Sequence, residues 1–167
     1  MTFEWSASMP PVDHVLEATH NLNDYNSDND SSSTNVSVQA AVIDIGIANI
    51  NAPSSVVIGE DVDVVVTVEN LGNRKVGPDI AVTLVDDKGF YATDDIIGGL
   101  VSGSTAQITF LWPASSEGTY ELVASHDYSD GDNNASNDSA NTVVNVELAV
   151  TDIAITSITA PDTVSEG

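Results

Sequence analysis

Residues 61–70 read DVDVVVTVEN, and this stretch decides the fold. Valines occupy every second position from Val62 to Val68, and polar residues such as Asp63 and Glu69 lie between them. A period of two places the valines on one face of an extended chain and the polar side chains on the other. The stretch therefore predicts a β-strand with one face on a hydrophobic core and the other in solvent.

The same alternation recurs along the chain, and no helical periodicity competes with it. Further predicted strands cover 43–47, 80–84, 106–112, 120–124 and 144–148. Turn-forming residues separate them, at 51–53, 70–73, 86–89, 98–99 and 115–118. About six or seven short strands with this spacing predict an all-β chain, an immunoglobulin-like antiparallel β-sandwich. Tyr120 follows a turn and is expected to form the tyrosine corner of such a fold, whereas Trp112 is expected in its core.

The chain also repeats itself. Residues 41–59 read AVIDIGIANINAPSSVVIG and residues 149–167 read AVTDIAITSITAPDTVSEG, so the two stretches correspond at a shift of 108. Towards the other end, shorter matches with nearly the same shift join 2–5 to 109–112 and 16–20 to 122–126. Self-similarity at a fixed period indicates repeated structural units, so the sandwich is expected in tandem.

The repeat predicts three segments. Residues 1–40 are expected to be the C-terminal part of a preceding Ig-like repeat, 41–148 a complete repeat, and 149–167 the first strand of a following repeat. The two partial segments together are shorter than one period, so a strand donated between two molecules does not complete a domain. We therefore expect a window of a longer tandem array, which favours a filament.

Composition and charge exclude several functions. The chain has 26 acidic residues against 3 basic ones and a formal net charge of −23. So few cations do not neutralise phosphates or anionic lipids, which excludes nucleic-acid partners and docking on anionic membranes. The chain contains no cysteine, and no apolar run reaches the roughly 18 residues that insertion into a membrane needs. An acid excess of this kind is typical of secreted proteins in salty media, including those of archaea.

Several motifs resemble those of a known family, and they occur in the order 44–45, 52–54, 64–72, 110–113, 118–122 and 130–138. Together they resemble the CARDB domain, the "cell adhesion related domain found in bacteria", which also occurs in archaea. The resemblance covers all of 41–148 and, through the repeat, both partial segments. It implies an immunoglobulin-like sandwich in extracellular or cell-surface proteins, usually in tandem and without catalysis. It supplies no catalytic residues.

Residues 127–138, here called the acidic loop, form the candidate metal site. Oxygen-bearing side chains at short spacing fit calcium, which takes about six to eight oxygen ligands. The predicted ligands are Asp127, Asp130, Asp132, Asn134 and Asp138. The first segment shows the same alternate spacing at Asp24, Asn26 and Asp28. The alternative is a solvated turn, because Asn, Asp and Gly favour turns without any ligand.

Asparagine sequons mark candidate glycosylation sites at Asn29, Asn35, Asn134 and Asn137. Asn29 and Asn137 correspond in the repeat, so this position recurs in an exposed loop. Export would make these asparagines acceptors for glycans. Glycans there would also oppose tight calcium binding by the same side chains.

No catalytic site is predicted. His20 and His126 correspond in the repeat and each ends a predicted strand, which favours a structural role over general-base catalysis. The chain lacks the G-x-S-x-G motif of a nucleophile elbow. Pairs of carboxylates are expected from composition alone in so acidic a chain and do not indicate a glycosidase.

The leading functional hypothesis is a non-catalytic extracellular structural protein, a tandem Ig-like array that forms a rigid cell-surface stalk, fibre or filament. The junction 142–156 contains neither Gly nor Pro, so a nearly continuous strand and stiff coupling are expected. Its partners would then be neighbouring repeats. The alternative is a calcium-assisted adhesion or carbohydrate-binding module of a larger secreted protein, with cell-surface glycans as partners.

Overall fold

The computed structural model describes residues 2–6 and 12–167. Its strands are β1 (Asp13–Thr19), β2 (Ser31–Ser37), β3 (Ile45–Asn51), β4 (Ser55–Val57), β5 (Asp61–Asn70), β6 (Ile80–Asp86), β7 (Tyr91–Ile96), β8 (Thr105–Pro113), β9 (Gly118–His126) and β10 (Ser139–Glu147). One 3-10 turn lies at Ser27–Asn29. No helix within the described ranges is long and apolar enough to span a membrane.

Strands β3 to β10 form a sandwich of two sheets. One sheet has five strands in the order β4-β10-β9-β6-β7, and the other has three in the order β3-β5-β8. All pairings are antiparallel except that of β4 with β10. The predicted all-β, immunoglobulin-like sandwich is therefore confirmed.

The core lies between the two sheets and follows the predicted alternation. On β5, Val62, Val64, Val66 and Val68 are buried, while the acidic Asp63 between them is exposed. Burial of each valine relative to an exposed position stabilises the fold by about 1.5 kcal/mol or more. The inner face of β5 is thus the seam against which the five-stranded sheet packs.

Two aromatic residues tie the sheets together. Trp112 on β8 is fully buried and packs edge-on against Tyr120 on β9, with ring centroids 5.0 Å apart. The Tyr120 hydroxyl donates to the carbonyl of Ser116 at 3.0 Å, which is the tyrosine corner that the sequence predicted. Trp112 Nε1 donates across the sandwich to Asp86 Oδ2 on β6 at 3.0 Å.

Asp86 is the polar end of this cross-sheet contact. Its Oδ1 accepts hydrogen bonds from the backbone of Lys88 and Phe90, both at 2.8 Å, so the carboxylate also closes the β6–β7 turn. Burial raises the pKa of Asp86, but the hydrogen bonds from Phe90, Trp112 and Lys88 outweigh burial and hold this pKa below its ordinary value. The ionised carboxylate therefore stabilises the sandwich.

The N-terminal hairpin, β1 with β2, has the same register as β9 with β10. Thr19 lies opposite Ser31, as Ser125 lies opposite Ser139 in the sandwich. Among the described residues, β1 and β2 pair only with each other. Trp5 packs edge-on against His14 at 5.7 Å, in the same way as Trp112 packs against Tyr120. The division into segments 1–40, 41–148 and 149–167 stays a prediction.

The expected continuous strand across 142–156 is wrong. Strand β10 ends at Glu147, and residues 148–167 contain no strand and are exposed. The physical reason is pairing, because a β-prone sequence becomes a strand only where a neighbouring strand takes up its backbone hydrogen bonds.

The Asp86 contact leads to a pH-dependent prediction for stability. Asp86→Asn should lower the free energy of unfolding by about 1–3 kcal/mol at neutral pH, because charge-assisted hydrogen bonds are lost. Because the pKa of Asp86 is lower in the folded state, the ionised carboxylate stabilises the fold at pH values above the unfolded-state pKa. This stabilisation is lost as the pH falls through the folded-state pKa. The difference between wild type and variant should therefore shrink in acid, as measured by urea unfolding across pH.

Asp95→Asn is the matched control, since the Asp95 side chain on β7 is exposed and forms no hydrogen bond with the residues in 2–6 and 12–167. It should leave stability within about 0.5 kcal/mol of wild type. A penalty for Asp86→Asn that stays constant from neutral to acid pH would contradict the assigned role of the carboxylate.

Candidate metal centre and unit junction

The acidic loop connects β9 to β10 and folds back over the first strand of the sandwich. Asp132 Oδ2 accepts from the Ile45 backbone N–H at 2.9 Å, and the Asn137 carbonyl accepts from the Ile47 N–H at 2.8 Å. Asn133 N–H donates in turn to the Ile43 carbonyl at 3.0 Å. Because β3 is an edge strand, the loop supplies the hydrogen-bond partners that a neighbouring strand would otherwise provide.

Asn137 packs against Gly46 within this contact. Its Nδ2 donates to Asp44 Oδ1 at 2.8 Å, and a Cβ built on Gly46 would lie 2.7 Å from the same nitrogen. Glycine at 46 is thus what permits the close approach. A glycan on Asn137 would have to displace this contact, whereas the sequons at Asn29 and Asn35 are exposed. Asn134 is half-buried within the loop.

His126 ends β9 underneath the loop, and its side chain is fully buried. Its Nδ1 accepts from the Tyr128 N–H at 3.2 Å, so the proton belongs on Nε2, which lies 2.9 Å from the Ile45 carbonyl. Both ring nitrogens therefore have a hydrogen-bond partner. The ring links the end of β9 to the backbone of β3, in agreement with the structural role expected from sequence.

His126, Asp132 and Asp138 form a cluster in which one ligand atom from each lies within 4.8 Å of the others. Asp138 Oδ1 is 3.5 Å from His126 Nε2, close enough for an ion pair. However, the Nε2 hydrogen points to the Ile45 carbonyl, so Asp138 Oδ1 is buried without a donor from the described residues. A buried carboxylate oxygen without a partner is costly, and a cation would satisfy it.

A second cluster occurs on the N-terminal hairpin and has the same form. It contains His20, Asp24 and Asp30. The His20 Nε2 lies 3.2 Å from Asp30 Oδ1, an oxygen that is also buried and accepts no hydrogen bond within the described part of the chain. In both clusters the middle aspartate accepts from the backbone N–H two residues later, at Asn26 and Asn134, each at 2.9 Å. Asp24 thus corresponds to Asp132 in its backbone contact.

The structure brings together only part of the predicted ligand set. Asp132 and Asp138 lie in the cluster, but Asp127 Oδ1 accepts from the Ala81 N–H at 3.1 Å and is held on β6. Asp130 is exposed and outside the cluster, and the Asn134 side chain accepts from the Ser136 hydroxyl at 2.6 Å. The residue that sequence reasoning missed is His126. The match between His126 and His20 in the repeat is the sequence signal that could have indicated it.

The donor set fits a divalent cation that prefers oxygen. Asp138 Oδ1 and Asn137 Oδ1 are both buried and accept no hydrogen bond from the residues that the structure describes. Since both nitrogens of His126 are already engaged, the oxygens are the atoms most available to an ion. Hard cations such as calcium take carboxylate and amide oxygens, and water fills the remaining positions.

The loop between β5 and β6 holds the chain where it enters the sandwich. Asn73 Nδ2 donates to the Ala40 carbonyl at 2.8 Å, and its Oδ1 accepts from the Val42 N–H at 2.8 Å. The Asn73 N–H also donates to the Val42 carbonyl at 3.1 Å. One asparagine therefore binds the connecting backbone at three points.

Neighbouring residues fix that loop in place. Asn70 is fully buried, donates to the carbonyls of Arg74 and Leu100, and accepts from the Gly72 N–H. A Cβ on Gly72 would lie 2.4 Å from the Val42 carbonyl, so only glycine allows this approach. On the hairpin side, the Val38 N–H donates to the Val12 carbonyl at 3.1 Å. The connection from hairpin to sandwich is thus anchored at both ends.

Comparison with known proteins gives a family and two related structures. The CARDB family model matches residues 42–145. The crystal structure of the CARDB domain of the PF1109 protein from Pyrococcus furiosus, in complex with di-metal ions, is 25% identical with a TM-score of 0.59, covering 66% of this chain and 99% of that one. The solution NMR structure of the same domain is 24% identical with a TM-score of 0.55, covering 64% and 97%.

None of the curated proteins matches the chain. The family match covers more than half of the sequence and coincides with the sandwich of β3 to β10. The chain belongs to the CARDB family of non-catalytic, adhesion-related domains that are typical of surface proteins.

Proposed function

We propose that this chain is a segment of an extracellular structural protein in which CARDB units follow one another through stiff junctions. The observation that carries the proposal is the binding of Ala40 and Val42 by the side chain of Asn73. A flexible tether would leave its backbone to solvent. Here the backbone groups of the connection are bonded to the unit that follows, which restricts rotation between hairpin and sandwich.

Stiff junctions suit a stalk, fibre or filament at the cell surface. When rotation between neighbouring units is restricted, the array keeps its direction. Its end-to-end length then grows in proportion to the number of units, whereas that of a flexible chain grows with the square root of this number. The net charge of −23 keeps such rods soluble and apart from one another, and dissolved salt limits the repulsion to about 8 Å at physiological ionic strength. The principal partners are then neighbouring units of the same kind.

Calcium-assisted adhesion is the second candidate function. It is supported by the two His–Asp clusters, each with a buried carboxylate oxygen that has no donor among the described residues, and by the related domain whose crystal structure contains metal ions. Asp132, Asn137 and Asp138 would hold the ion, and His126 would orient the loop. A bound cation would supply the positive charge that the acidic loop lacks and would lock this loop on β3.

The junction proposal predicts that Asn73→Ala loosens the hairpin relative to the sandwich. Spin labels on Ser33→Cys and Glu117→Cys, in a chain without other cysteines, report the distance between the two parts. The distribution measured by double electron–electron resonance should be narrow in the parent chain and at least about twofold broader in Asn73→Ala, because the two side-chain hydrogen bonds to Ala40 and Val42 are lost. Asn49→Ala, an exposed position on β3, is the matched control.

An unchanged width in Asn73→Ala would contradict the stiff junction. A parent distribution as broad as that expected of a free tether would contradict it as well.

The cation proposal predicts a calcium-dependent rise in the thermal midpoint of the full chain. Binding to the folded state alone stabilises by about 2.7 kcal/mol at a hundredfold excess over Kd, which is a rise of several degrees. Asp138→Asn should remove most of this rise. Asp130→Asn makes the same charge change outside the cluster and should retain it.

A parallel measurement with zinc distinguishes a site made of oxygen ligands from one that uses imidazole nitrogen. Stabilisation by zinc in place of calcium would contradict the oxygen-only assignment, since zinc prefers imidazole nitrogen. The absence of a midpoint shift with either ion at millimolar concentration would contradict the metal centre.

A further inference from the structure

We propose that the outer edge of β8 is a lateral contact surface at which two copies of this chain pair, β8 against β8, in an antiparallel register. The contact lies between the sides of two chains, so it goes beyond the stiffness of a junction within one chain. Strand β8 runs from Thr105, near the entry of the chain beside the Asn73 loop, to Pro113, near the exit after Glu147. The chain therefore continues in both directions at the ends of β8 and not along its side.

The sandwich of β3 to β10 has four edge strands, and three of them are protected. β3 is covered by the acidic loop, and its pairing with β5 shifts between Ile47 and Asn49. β4 is only three residues long, and β7 carries the exposed aspartates Asp94 and Asp95. Covering loops, bulges, short length and charged side chains are the features by which proteins prevent pairing at an edge.

β8 is the edge strand with the least protection of this kind. It is nine residues long, its pairing with β5 continues without a register shift, and its one proline is the last residue. It lies within residues 96–116, the longest stretch of the sequence without a charged residue. A long, regular and uncharged edge strand is a surface that another strand can join.

The backbone groups on this edge are available for pairing. At the two ends of the ladder, the Ala114 N–H donates to the Glu60 carbonyl at 2.9 Å, and the Asn70 N–H donates to the Ser104 carbonyl at 3.0 Å. Bonded residues alternate along an antiparallel pair, so the even-numbered residues of β8 bond to β5 and the odd-numbered ones face outward. The outward N–H and C=O groups form no backbone hydrogen bond with any residue in 2–6 and 12–167, and they belong to Thr105, Gln107, Thr109 and Leu111.

These four residues determine the register of the pair. Gln107 of one copy would lie opposite Thr109 of the other, and Thr105 would lie opposite Leu111. In this register all four residues of each copy both donate and accept a backbone hydrogen bond. The two copies are then related by a two-fold axis at Ile108, so the same surface serves on both sides.

The ladder ends beyond these residues. Pro113 would lie opposite Gly103 of the other copy, but proline has no N–H to donate. The Gly103 N–H already donates to the Asn70 carbonyl of its own chain at 2.8 Å. The contact therefore involves few residues from each copy, and its small area predicts a weak dimer. Where units follow one another as proposed above, weak contacts of this kind would add along two neighbouring arrays.

Charge identifies a second copy as the occupant of the edge. The net charge of −23 makes the acidic faces of two chains repel each other. The nearest acidic side chains on β5 are Asp63 and Glu69, at the two ends of the paired stretch. Asp63 and the Glu69 of the other copy would be three strand spacings apart, about 14 Å, which exceeds the Debye length of about 8 Å at physiological salt. Two such acidic chains can therefore approach each other along β8.

β7 contacts β8 from the edge of the other sheet and opposes the association. Its Asp94 lies opposite the buried Val82 and therefore on the face of that sheet that is turned towards β8. Pairing of the two β8 edges brings Asp94 of both copies to the same side of the dimer. Salt that screens this repulsion should strengthen the dimer.

Sedimentation equilibrium of the full chain tests the pairing. The mass should rise with protein concentration towards that of a dimer and no further, since each chain supplies one such edge among its described residues and the two-fold contact is closed. The dimer should be stronger at about 0.5 M than at about 0.05 M salt, roughly a threefold change in Debye length. A chain that remains monomeric at about 1 mM and high salt overturns the proposal, and so does growth beyond a dimer.

Thr109→Glu should weaken the dimer about tenfold or more. The Thr109 side chain is exposed, and the two new carboxylates would be diagonal neighbours about 7–8 Å apart. Val143→Glu is the matched control, because this exposed position on β10 lies three strands from β7 in the other sheet, about 14 Å or more from the contact. It should change the association by less than about threefold. Equal weakening by both variants would indicate general charge repulsion and overturns the proposal.

Thr109→Pro should prevent pairing without a change of charge. Proline lacks the N–H that would donate to Gln107 of the other copy, and it is tolerated where an edge strand turns its N–H outward. Urea unfolding of the variant checks that the sandwich is folded. A folded Thr109→Pro chain that dimerises as strongly as wild type overturns the proposal.

Cysteine cross-linking tests the register. Chains with Gln107→Cys and with Thr109→Cys, mixed under mild oxidation, should form mainly the mixed disulfide dimer, because opposite residues lie about 5.5 Å apart at Cα. Each variant alone should cross-link less, since identical positions are diagonal neighbours about 7–8 Å apart. The chain contains no other cysteine. A mixed dimer that forms no more readily than the dimers of the single variants overturns the proposed register.

Discussion

The contact between the acidic loop and the backbone of β3 is the interaction on which the rest depends. β3 is the edge of the three-stranded sheet and is also the first strand after the connection from the hairpin. Asp132 and Asn137 accept hydrogen bonds from its outer edge, and Asn133 donates to Ile43 just before it. Just before β3, the Val42 N–H donates to the Asn73 side chain. The core, the junction and the acidic cluster therefore all contact β3 or the residues that lead into it.

The structural and cation-binding roles of the acidic loop do not exclude each other. Both carboxylate oxygens of Asp132 accept hydrogen bonds from backbone N–H groups, those of Ile45 and Asn134. Asp138 Oδ1 and Asn137 Oδ1 are buried and have no donor among the residues that the structure describes. A loop that forms hydrogen bonds to a strand edge thus also contains buried oxygens that a cation could satisfy. The like charges gathered there are costly in a chain that has few cations to offset them.

The sequence predicted the elements with strong alternation and missed those without it. The seam at 61–70, the burial of Trp112 and the tyrosine corner at Tyr120 follow from side-chain period and turn chemistry. Strand β7 was not predicted, because YATDDI is polar and forms only by pairing with β6. Residue spacing alone does not predict the cluster of His126 with Asp132, because the fold of the acidic loop determines which oxygens lie near the imidazole ring.

Native-state hydrogen exchange at the amides of Ile45 and Ile47 tests the central claim most directly. If the acidic loop holds β3, both amides should exchange only through global unfolding, with the same denaturant dependence as the buried amides of β5. Exchange of Ile45 and Ile47 through a local opening, at a free energy well below that of global unfolding, would contradict the account.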